Sequence, residues 1–175
     1  HSFPTRHSSD LNKINTKNVK SMEYMFAGCS SLTSLDILNF ETSSLESTKG
    51  MFYGCSSLKF LDLSKLNTSS VINTAYMFHK ATSLKSINFL LPEEDESLSL
   101  NQTKKKIYFD TSLVTNMNSM FDGCGNLNSL ILSNFETSLV TNMNSIFKGC
   151  SSLKILDLSH FDTSKISNMD NMFSG

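Results

Sequence analysis

Four cysteines, Cys29, Cys55, Cys124 and Cys150, are the first residues to weigh for chemistry, and each directly follows a glycine. A zinc site gathers close pairs of ligands on one point, whereas these stand 26, 69 and 26 residues apart. They fall in one column of a repeat, with Ala81 in the same column. Disulfides between Cys29 and Cys55, or Cys124 and Cys150, are geometrically conceivable if the column neighbours stack. The adopted reading is a buried, reduced, small apolar residue that alanine can replace. Outside the first eleven residues there are two histidines, His79 and His160, neither with a triad partner in view. No HExxH, phosphate-binding glycine loop or calcium loop occurs. Asp36, Asp62 and Asp157 form a partial acidic column, read as a solvated face because calcium takes roughly 6 to 8 oxygens. No catalytic, cofactor-binding or metal-ligating residue is assigned, and the chain is read as a non-enzyme.

The column arithmetic points to what positions these residues. Met-Phe recurs at Met25, Met51, Met77, Met120 and Met172, with Ile146-Phe147 in the remaining place, at steps of 26, 26, 43, 26 and 26. The long step is one unit plus a 17-residue insertion at 92–108, PEEDESLSLNQTKKKIY, an acidic block followed by a basic one. Such a block reads as a solvated loop or a protruding flap. All 9 methionines fall on two columns, and ten of the twelve phenylalanines after residue 11 fall on two more. Residues 1–11, HSFPTRHSSDL, hold the only arginine and read as a non-native leader resembling a translated sequencing adapter. Residues 12–175 are then one array of about five repeats, and its last motif suggests an internal fragment.

Each unit contains LxxLxL, as at Leu58, Leu61 and Leu63, whose last three residues alternate like a short strand. The rest has helical spacing: Val140, Met143, Ile146, Phe147 and Cys150 would share one helix face. Thr-Ser pairs such as Thr137-Ser138 would cap the helix and Gly149 would end it. The expected fold is an α/β solenoid with one short parallel strand and one helix per 26-residue repeat.

The unit MFxGCSSLxxLDLSNFxTSxVTNM resembles the 26-residue repeat of the BspA-like leucine-rich-repeat surface proteins, also described as a domain of unknown function in mycoplasma lipoproteins. The resemblance implies that the expected α/β solenoid is leucine-rich-repeat-like, with a cell-surface or extracellular place, a role in adhesion or host contact, and any membrane anchor outside this segment. A cytoplasmic place stays open, because fold alone does not fix compartment.

The expected function is a noncatalytic binding or adhesion module for a protein or cell-surface ligand. The alternative is a structural stalk or an intracellular repeat scaffold that displays another domain. A net charge of −1 gives no nucleic-acid-type basic excess, and no apolar run is long enough to span a membrane. Candidate partner-binding residues are Tyr24, Tyr53, Tyr76 and His79, which fall on two outward columns three residues apart. Later units hold Ser119, Asp122, Ser145 and Lys148 there. Aromatic side chains with polar tips suit recognition, but they also cover seams between repeats. Phe60 and Ile155 are weaker candidates on the strand side, separated by Ser86 and Ser129.

Overall fold

The computed structural model describes residue 11 and residues 13–90 and 109–175. The expectations for residues 1–10 and for the insertion 92–108 lie outside the described residues. Leu11, assigned above to the leader, packs partly buried against the hydrophobic core.

The 26-residue units stack as coils, here numbered 1 to 5 from residues 14, 40, 66, 109 and 135, with a sixth beginning at 161. Ser21, Ser47, Asn73, Asn116 and Asn142 each form a parallel bridge to the next, the last to Asn168, so equivalent residues lie in line. On the other side, β1 (Phe60–Asp62) pairs in parallel with β2 (Ser86–Asn88), with Leu61 opposite Ile87. The 92–108 insertion does not interrupt the stack, since Asn73 bridges directly to Asn116.

The expected helix is absent. The described residues contain no α-helix and two named strands, so the fold is not an α/β leucine-rich-repeat-like solenoid with a helix per repeat. An α-helix sends each N–H to the carbonyl four residues back. Here alternate N–H groups leave for the next coil: Tyr24 donates to Lys49 O at 2.9 Å, Phe26 to Met51 O at 2.9 Å and Gly28 to Tyr53 O at 2.7 Å. The N–H groups between them close three-residue steps, from Met25 to Met22 O, Ala27 to Tyr24 O and Cys29 to Phe26 O. This segment is a run of overlapping turns.

Left-handed residues keep it so. Tyr24, Gly50, Tyr76, Ser119, Ser145 and Asn171 share one column, and each has φ between 52° and 59°. Gly28, Gly54, Lys80, Gly123 and Gly149 form a second such column four residues later, with Lys80 at φ 59°. Each supplies the third residue of a turn that requires positive φ. A right-handed helix cannot run through either column.

The Thr-Ser pairs also act differently from helix caps. Thr42, Thr68, Thr111 and Thr137 are buried and clamp successive coils. Thr111 Oγ1 donates to Glu136 O at 2.8 Å and accepts from Glu136 N–H at 2.7 Å. Asn73, Asn116, Asn142 and Asn168 instead accept the N–H two residues ahead, at 2.9 to 3.0 Å, which fixes the bend after each bridge.

Inside, Phe26, Phe52, Phe78, Phe121 and Phe147 stack in one ladder that exposed Phe173 continues, with centroids 5.5 to 5.8 Å apart and planes within 9°. Beside it, the Cys55, Cys124 and Cys150 thiols each donate to a phenylalanine carbonyl of the preceding coil at 3.2 Å. All four cysteines are free.

Candidate functional site

The turn-rich side of the stack brings four predicted residues into one contiguous cluster. Tyr24 meets Tyr53 edge-on at 6.3 Å, Tyr53 stacks on His79 at 4.9 Å, and His79 meets Tyr76 edge-on at 5.8 Å. Tyr53 and His79 are equivalent residues of neighbouring coils, whereas Tyr76 and His79 are the ends of one turn, closed by His79 N–H to Tyr76 O at 3.1 Å. The strip therefore crosses coils 1 to 3. Tyr24 is 44% exposed, and the other three are half-buried.

Neighbours outside the predicted set hold this strip in place. The Tyr24 ring lies over Gly50, where a Cβ would come 2.2 Å from the ring, so only glycine admits that pose. The Lys49 ammonium sits 5.9 Å from the Tyr24 ring centroid. Asn118 Nδ2 donates to the Tyr76 hydroxyl oxygen at 2.8 Å. His79 Nδ1 lies 3.4 Å from Asp122 Oδ2, beyond a good hydrogen bond, and is buried without a hydrogen-bond partner. Burial lowers the His79 pKa from its ordinary value; Asp122 opposes that, while Lys80 and Lys148 reinforce it. Gly50 was the readable signal for this arrangement, as the lone glycine in a column of Tyr, Ser and Asn.

Phe60 and Ile155 are not brought together. Both are exposed on the strand side, at 51% and 83%, in coils 2 and 5 with Ser86 and Ser129 between them. The acidic column has structural duties: Asp36, Asp62 and Asp157 accept the N–H groups of Leu38, Ser64 and Ser159 at 2.9 to 3.1 Å. Among the described residues, no group of three or more His, Cys, Asp or Glu could hold a metal ion. No helix there is long and apolar enough to cross a membrane. The thiols are poor nucleophiles, since burial pushes Cys55 and Cys150 up to about 12, and raises Cys124 and Cys29 as well.

No curated protein and no solved structure matches the chain. A protein-family match covers residues 2–89 and 95–175, taking in most of the segment set aside as a leader. With nearly all of its length matched, the chain belongs to the family described as Mycoplasma protein of unknown function, DUF285.

Proposed function

We propose that the chain is a noncatalytic binding module whose contact surface is the strip Tyr24, Tyr53, His79 and Tyr76. The observation that carries this reading is the confinement of the strip to one half of a regular stack. Serine, aspartate and lysine replace it at Ser119, Asp122, Ser145 and Lys148, so the coils do not need aromatic residues there. Tyrosine edges and hydroxyls bury large area at low entropy cost, which suits a protein partner. The likeness of the 26-residue motif to BspA-like surface proteins supports adhesion at a cell surface as the setting.

A second reading, a structural stalk, draws on the stacking of Tyr53 on His79, whose facing rings cover the seam between two coils. Changing Tyr24, Tyr53 and Tyr76 together to Ser separates the two. Binding of the folded variant to host cells or matrix proteins should fall at least tenfold. Unchanged binding would remove the strip as the contact surface.

A further inference from the structure

The strand side carries a second pattern, independent of the aromatic strip. In coil 2, Lys59, Phe60 and Asp62 surround buried Leu61; in coil 5, Lys154, Ile155 and Asp157 surround Leu156. Lys85 N–H donates to Lys59 O at 2.8 Å, and Asn128 N–H to Lys85 O at 3.2 Å, which sets this border of the face in line. One border thus carries Lys59, Lys85, Asn128 and Lys154 and the other Asp62, Asn88, Ile131 and Asp157, so lysine and aspartate flank the face in coils 2 and 5, three residues or about 10 Å apart. Between the borders are exposed Phe60 and Ile155, and exposed Ile131 takes the aspartate position in coil 4. The ion pairs found among the described residues are Lys20 with Glu46 and His79 with Asp122, so these lysines have no carboxylate partner there. Asp62 and Asp157 are held at their border by the Ser64 and Ser159 N–H groups, yet keep lone pairs for a cation.

We propose that this face is a self-complementary interface with a second copy of the chain. A two-fold axis parallel to the stack exchanges the two borders. It lays Lys59 of one copy over Asp62 of the other, and Lys154 over Asp157, while Phe60 meets Phe60 and Ile155 meets Ile155 at the centre. An axis across the stack sets lysine on lysine instead, so charge selects one orientation. Five coils at about 4.8 Å by about 10 Å is a small footprint, and the dimer is accordingly weak and reversible.

Sedimentation velocity of the full chain over a roughly hundredfold concentration range tests this. The chain should pass from monomer to dimer, and added salt should weaken the dimer. Phe60→Ser with Ile155→Ser, and separately Lys59→Glu with Lys154→Glu, should each weaken it at least tenfold without lowering the melting temperature. A monomer throughout would overturn the proposal. So would a dimer that survives in both double variants, because self-association would then use another surface, such as the one around exposed Phe173.

Discussion

The Thr68 hydroxyl donates to the carbonyl oxygen of Asp110 and accepts from its N–H, both at 2.7 Å, across an insertion in the chain. The same two bonds join Thr111 to Glu136, 25 residues on with no insertion between them. Coils 3 and 4 are thus clamped as tightly as coils 4 and 5. Deleting residues 92–108 restores the 26-residue step and should move the urea midpoint little. Thr68→Val removes both bonds and should cost about 1 to 3 kcal/mol in the same titration.

Phe121 is fully buried between Phe78 and Phe147. Phe121→Ala opens a cavity between adjacent coils and should cost about 3 to 5 kcal/mol, read from urea unfolding.

Gly50 links backbone conformation to the proposed contact surface. Gly50→Ala forces a β-carbon into a left-handed residue and into the Tyr24 ring. It should cost more than about 1 kcal/mol and displace Tyr24, with a changed tyrosine fluorescence signal. Ser145→Gly, in the same column, removes strain and should cost little or raise stability by up to about 1 kcal/mol.

Two pH effects follow, with opposite signs. Cys55 and Cys150 ionise ordinarily near 9.0 but are pushed up to about 12 in the fold, so the unfolded chain loses these protons first. Stability from the thiols is complete below pH 9 and is lost as pH rises toward 12. Cys55→Ala with Cys150→Ala should flatten that decline. His79 has its pKa lowered below 6.5, so its contribution is complete above 6.5 and is lost as pH falls through the folded value. His79→Gln should flatten the acid limb of urea midpoint against pH.

The stacking period, the inward columns and the meeting of Tyr24, Tyr53, Tyr76 and His79 on one face were legible in the sequence. The helix was misread for a physical reason. Met143, Ile146, Phe147 and Cys150 point inward at spacings of three and one, and a run of overlapping turns produces those spacings as readily as a helix face does. The distinguishing information lay in the column containing Gly50 and Asn171, two residues that tolerate positive φ, with tyrosine and serine elsewhere as camouflage. Thr111 was misread similarly, because a cap hydroxyl and a coil-to-coil clamp ask for the same side chain, and only its partner Glu136 tells them apart.

Far-UV circular dichroism of the purified chain tests most directly the claim that this repeat is built from turns and coil-to-coil hydrogen bonds. The spectrum should lack the paired minima of α-helix and should lose its signal cooperatively on heating. A spectrum dominated by those helical minima would contradict the claim, and with it the placement of Tyr24, Tyr53, His79 and Tyr76 in one strip.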